Sequence, residues 1–231
     1  MNENKKNKAF RVVFEDDYII VVDKVAKILV QPAPGNDKLT LNALLEKYAG
    51  RRLFPCHRLD RETTGLIMYA KLSDIQANIA RQFASGEIIK KYIAFIKQGP
   101  LKKRGVFEGA IIDRQGKTFG EKPKQARTLY RIVEKLQGFN VIELKPLTGR
   151  TNQLRIQLAK AGCPILGETK YAFRRDFSVR FKRLGLHAFY LSFIHPVSKD
   201  RVEVKIGLAQ DMKRFLSEAT TFQDGRRRKV V

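Results

Sequence analysis

The hydrophobic pattern is mostly that of short strands. Residues 10–14 and 18–22 are β-branched and aromatic and flank the polar turn Glu15-Asp16-Asp17, which predicts a hairpin. A short apolar run at 66–70 predicts a third strand, and Tyr92, Ala94 and Ile96, interleaved with Ile93 and Phe95, predict a fourth. Further strands are expected over 106–112, 128–133 and 141–144, the last two joined across Gln137-Gly138. The series closes with 186–194 and 202–206 around Pro196-Val197-Ser198-Lys199-Asp200.

Four stretches read as helices. In the first, over 39–48, Thr40 stands near the start and Gly50 follows the end. In the second, Ser73 is the expected cap, Ile75, Ile79 and Phe83 share one face, and Gly86 is the stop. The third covers 151–161, with Leu154, Leu158 and Ala161 at helical spacing and Gly162 beyond. The fourth covers 211–219 with Met212, Phe215 and Leu216 facing inward. Hairpin-spaced strands with interspersed helices predict an α+β fold around a largely antiparallel mixed sheet, with flanking helices and loops.

Charge adds a partner to this picture. The 231 residues carry 46 Lys+Arg against 23 Asp+Glu, a formal +23, which favours a polyanion. Two candidates follow from charge alone, a nucleic acid and an anionic membrane face. Cys56 and Cys163 form no CxxC pair and the three histidines are scattered, so neither a disulfide framework nor a metal centre is expected. No apolar run approaches the ~20 residues of a membrane span, and the polar, lysine-rich start does not read as a secretory signal. A cytoplasmic protein is therefore expected. Arg51, Arg52, Lys102, Lys103, Arg104, Arg174, Arg175, Arg180, Lys182 and Arg183 cluster in loop-like stretches as candidate phosphate contacts, though each also reads as an ordinary solvated charge. The run Arg226-Arg227-Arg228-Lys229 reads as a solvated tail or as a phosphate-contacting one.

Two segments carry candidate chemistry. Cys56-His57-Arg58-Leu59-Asp60-Arg61-Glu62-Thr63-Thr64-Gly65 is a loop feeding a strand, with Asp60 between two arginines. It is either a catalytic carboxylate in a basic loop or a turn cap among solvated arginines. Leu147-Thr148-Gly149-Arg150-Thr151-Asn152-Gln153-Leu154-Arg155 is a glycine turn opening a helix, suited to an anion or to ordinary capping.

Together these segments resemble a known family. His57-Arg58-Leu59-Asp60-Arg61-Glu62-Thr63-Thr64-Gly65 resembles the HRLD-x-x-TSG signature of the RluA-type pseudouridine synthases. Lys90-Lys91-Tyr92-Ile93-Ala94 resembles their K-x-Y-x-A strand, Gly149 to Arg155 their GR-T-H-Q-[IL]-R motif, and Leu186-His187-Ala188 with Leu191, Phe193 and His195-Pro196 their C-terminal segment. The resemblance runs from about residue 10 to about 218. It departs at Asn152 and Gln157, where the family usually has histidines, and at Thr64 and Val25, where it usually has serine and proline.

The resemblance implies an enzyme that isomerises uridine in structured rRNA or tRNA to pseudouridine without cofactor or metal, on a catalytic domain lacking the extra N-terminal S4 RNA-binding module. It implies a catalytic domain over 10–219; the charged stretches on either side read as flexible basic tails over 1–9 and 220–231. Asp60 would be the catalytic carboxylate, Arg155 its partner, and Tyr92 the ring that stacks on the target base and is suspected of taking the C5 proton. Arg58 would help occupy the space vacated by the flipped base. His57, Arg61, Thr64, Arg150, Asn152 and Leu186 complete the expected substrate-binding set; His57 reads equally as structural, and His187 and His195 read as structural. RNA is the expected partner of a monomer. The competing readings are a non-catalytic RNA-binding or ribosome-assembly protein on the same fold, suggested by the charge and Asn152, and a glycosidase on a small substrate, which +23 does not suit.

Overall fold

A computed structural model of the chain describes residues 9–32, 39–112 and 122–227, with side chains through residue 221. The described residues form two compact units, those within 1–90 and 188–207 and those within 91–187 and 208–231. The expected α+β architecture is present, with four helices and strands whose recorded registers are all antiparallel.

In the first unit, β1 (Phe10–Glu15) and β2 (Ile19–Lys24) form the expected hairpin. Asp16 sets its turn by accepting the N–H groups of Tyr18 and Ile19. β2 pairs with β4 (Thr64–Ala70), which also carries the two-residue β3 (Phe54–Pro55). Every residue of β4 is buried, which explains a continuous apolar run in place of an alternating one. β9 (Leu186–Ile194) lies next to β4, and β10 (Arg201–Lys205) pairs with β9. α1 (Leu41–Ala49) is capped by Thr40, whose hydroxyl accepts the Ala43 N–H. α2 (Ser73–Ser85) buries Ile75 and Ile79, with Phe83 against the same core. The expected cap at Ser73 is displaced by one residue: Leu72 holds the extended cap position, and Ser73 is already helical.

Gly65 fixes how closely β4 approaches β9. Its φ is +111°, and a Cβ there would lie 2.1 Å from the Ala188 carbonyl oxygen and 2.6 Å from its nitrogen. Backbone atoms cannot swing aside as a side chain can. Gly65→Ala is expected to destabilise the protein by about 3 kcal/mol, combining backbone strain with a forced strand separation. Urea unfolding checks this, and a midpoint equal to wild type would refute it.

In the second unit, β5 (Ile89–Lys97), β8 (Phe139–Pro146), β7 (Lys124–Leu136) and β6 (Arg104–Ile111) pair in that order. Its core gathers Phe95, Phe139, Leu166 and Met212, with Phe181 and Phe215 packed against them. α3 (Gln153–Lys160) is shorter than expected because Asn152, at φ +53°, turns the chain into the left-handed region just before it. α4 (Gln210–Arg227) buries Met212 and packs Phe215 and Leu216 as expected, but runs past the expected end at 219. The N-terminal tail through residue 8 and the side chains of the C-terminal basic run fall outside the described residues. Among the described residues no helix is long and apolar enough to cross a membrane.

Candidate active site

The Asp60 loop is anchored on both sides of the carboxylate. Leu59 is buried while Arg58 and Arg61 are exposed, so the loop faces the core with one apolar side chain. Asp60 itself is half-buried, and its carbonyl accepts the Thr63 N–H at 3.1 Å, closing a turn that leads into buried Thr63 and Thr64. The Arg61 carbonyl accepts from Lys27 N at 2.8 Å and from Lys24 Nζ at 3.2 Å. Lys24 is fully buried, and its ammonium also donates to the carbonyls of Val25 and Ile28 at 2.9 and 3.1 Å. An ammonium taken out of water needs acceptors on this scale. Lys24 therefore clamps the 25–28 turn to the Asp60 loop. The sequence analysis does not single out Lys24; its one sign is a lysine closing an apolar, β-branched run.

His57 starts the same loop. Its Nε2 accepts the Met68 N–H at 3.2 Å and its ring packs on Phe83 at 5.6 Å between centroids. Burial, reinforced by nearby Lys90, lowers its pKa to about 3, so the ring stays neutral. The structure thus places His57 as a pin between loop and β4. His195 is likewise structural: its Nδ1 accepts the N–H groups of Val197 and Ser198, and its Nε2 meets Asp16 at 3.0 Å.

In the second unit, Arg155 on α3 is held in a fork. Its Nε and Nη2 donate to the two carboxylate oxygens of Glu168, both at 2.7 Å, and its Nη1 donates to Asn152 Oδ1 at 3.0 Å. The guanidinium lies 5.3 Å from the Tyr171 ring centroid. Glu168 is almost completely buried, and its Oε1 also accepts the N–H groups of Thr169, Lys170 and Tyr171. Burial alone would raise this carboxyl; the Arg155 guanidinium and the backbone N–H groups outweigh it and hold it below the usual carboxylate range. Sequence reasoning missed Glu168. Its only sign was a lone acid after Gly167 in a basic stretch.

The two departures at the usual histidines acquire roles. Asn152 orients Arg155. Gln157 is buried and accepts the Thr128 hydroxyl while donating to the carbonyls of Phe107 and Ala126. Gln153 is buried too, bonded to Thr148, Thr128, Arg127 and the Arg150 N–H. The inner face of α3 is thus a satisfied amide network as well as the apolar row of Leu154 and Leu158. Tyr92 is buried on β5 opposite Leu144, and Leu186 is buried at the start of β9. Arg150 is exposed, its Nε donating to Gln125 O at 3.2 Å. Arg183, counted among the candidate surface cations, is instead buried in a fork to Asp211 at 2.6 and 2.7 Å.

Residues 18–160 match the family model of RNA pseudouridylate synthase. The chain belongs to the RNA pseudouridylate synthase family. The synthase is 34% identical over 222 residues to ribosomal large subunit pseudouridine synthase D of Zymomonas mobilis, covering 87% of this chain and 70% of the relative. It is 30% identical over 220 residues to tRNA pseudouridine synthase C of Vibrio vulnificus, covering 84% and 89%. Its fold is that of human RNA pseudouridylate synthase domain containing 4, at TM-score 0.75 and 24% identity over 90% of this chain and 92% of that one. The resemblance read from four ordered motifs is thereby established at family level, and the synthase is an isomerase acting on RNA.

Proposed function

We propose that the synthase isomerises a uridine in structured ribosomal or transfer RNA to pseudouridine, with Asp60 as the carboxylate at the sugar. The N1–C1′ bond breaks, the base turns, and C5 bonds to C1′; C5 gives up its proton and N1 gains one. No water is added and no electrons move to an acceptor, so the reaction calls for no redox partner. A carboxylate beside the anomeric carbon stabilises positive charge there. Arg155 serves as its counter-cation, Tyr92 stacks on the base, and Arg58 fills the space that base flipping opens. Arg61, Thr64, Arg150 and Leu186 complete the substrate contacts. We place the activity in the cytoplasm, as a monomer.

The observation that carries this reading is the double anchoring of Asp60, by Leu59 in the core and by Lys24 on the Arg61 carbonyl. A buried lysine committed to three carbonyls is costly unless the loop it holds must keep its shape. The names of the relatives support the RNA class, and +23 suits a polyanion. The non-catalytic reading drew on Asn152, and that side chain here holds the Arg155 guanidinium.

The test is tritium release from RNA labelled at uridine C5, using ribosomal and transfer RNA made in cells lacking the synthase. Release by wild type is the expected result. Bound RNA with no release from either pool would overturn the reading in favour of a binding protein.

A further inference from the structure

The segment 170–183 reads Lys-Tyr-Ala-Phe-Arg-Arg-Asp-Phe-Ser-Val-Arg-Phe-Lys-Arg, and Asp176 is its one acid. Phe177, Val179 and Phe181 alternate in sequence and all pack against the core of the second unit. Phe181 touches Phe95 and Phe215 at centroid distances of 5.8 and 5.1 Å. Val179 fits against Gly138, where any Cβ would come within 2.4 Å of it. Arg183 closes the strap with its buried fork to Asp211. The strap is therefore firmly seated, and its apolar residues had a core to enter.

Phe173 does not enter it. It is 68% exposed, the largest exposure among the large apolar side chains of the described residues. Its position is nonetheless fixed: its N–H donates to Asp176 Oδ2 at 2.7 Å, and its carbonyl accepts the Asp176 N–H at 2.9 Å across the short helical turn Arg174–Asp176. The Arg175 guanidinium lies 5.0 Å from its ring centroid. Arg174 and Arg175 follow it directly in the chain, and these two with Arg180 and Lys182 further along the strap are all exposed.

An aromatic ring held out in water, partnered by a guanidinium and carried on a strap rich in exposed cations, has the chemistry of a stacking platform for single-stranded nucleic acid. The ring offers a π-face that accepts any base, and the cations take the phosphates. We propose that Phe173 stacks on an unpaired base of the RNA substrate, at a contact additional to the expected site residues. This rests on RNA being the substrate class. A protein partner would find few acids to satisfy here and many cations to bury, which is unfavourable.

The chain contains no tryptophan, so Phe173→Trp places the protein's single indole, excited apart from its seven tyrosines, on the platform. A single-stranded oligouridylate should quench the introduced indole with the same midpoint as filter-binding retention. Inorganic polyphosphate, which carries charge without bases, should compete without quenching. Phe173→Ala and Phe173→Leu should each weaken oligouridylate binding by roughly five- to a hundredfold, the range of one base stack, and raise KM for the RNA with kcat kept. Binding without quenching, equal quenching by polyphosphate, or unchanged affinity in Phe173→Leu would overturn the platform. Quenching by RNA with no isomerisation of any RNA would instead overturn the proposed reaction and leave the platform standing.

Discussion

Asp60→Ala and Asp60→Asn are each expected to bind RNA like wild type and to release no measurable tritium from it. Both substitutions leave the loop's scaffold intact. Leu59 still enters the core, Lys24 still holds the Arg61 carbonyl, and the Asp60 carbonyl still accepts the Thr63 N–H, because that contact uses backbone atoms. The Asp60 side chain is only half-buried, so its loss opens no core cavity. What disappears in both is the negative charge. Asparagine keeps the shape and one acceptor oxygen but can neither attack C1′ nor balance positive charge on it. Deleting a group that acts in covalent chemistry costs about 10⁴-fold or more in kcat, about 5 kcal/mol of transition-state stabilisation. The check has two arms: tritium release at saturating RNA, and filter binding across salt. Retained binding with lost release supports Asp60 as the catalytic carboxylate. Activity in Asp60→Asn within tenfold of wild type would refute it.

What the sequence makes legible follows from how local its causes are. The β1–β2 hairpin and the inward faces of α2 and α4 depend on period and turn residues within a short window, and they appear where those signals lie. β3 is two residues long and exists only because β4 has an edge for it; no local pattern announces it. The start of α3 is displaced because Asn152 adopts a left-handed conformation, which only a few side chains tolerate and no periodicity reports. The motifs name the residues proposed for the site, whereas they single out neither Lys24 nor Glu168. Both act through partners far away in sequence: Lys24 on the Arg61 carbonyl, Glu168 on Arg155. A lysine and a glutamate in a chain this rich in charge look solvated until tertiary packing buries them. The reverse error occurs at Arg183, which looks like a surface cation and is buried against Asp211.

Glu168→Gln is expected to lower kcat by about 10- to 100-fold, the scale seen when a supporting partner of a reactive group is removed, while KM for the RNA stays within a few fold. Glu168 meets Arg155 through two 2.7 Å bonds, and the second oxygen is what fixes the plane of the guanidinium. An amide presents one acceptor oxygen, and the N–H groups of Thr169, Lys170 and Tyr171 compete for it. Arg155 would keep its Asn152 contact and lose its orientation. Glu168→Asp keeps the charge on a shorter stem and should recover part of the activity, which a purely structural role would not predict. Stability responds as well, because removing one partner of a buried pair costs about 3–5 kcal/mol. That cost depends on pH with a definite sign. The folded-state pKa of Glu168 is depressed, so its stabilising contribution is complete above the unfolded value of about 4.3 and is lost as pH falls through the lower folded one. The gap in unfolding free energy between wild type and Glu168→Gln should therefore be wide at pH 7 and narrow below about pH 4. A gap that is constant with pH would mean that Glu168 contributes shape alone. A kcat equal to wild type in Glu168→Gln would show that Arg155 needs no such holder.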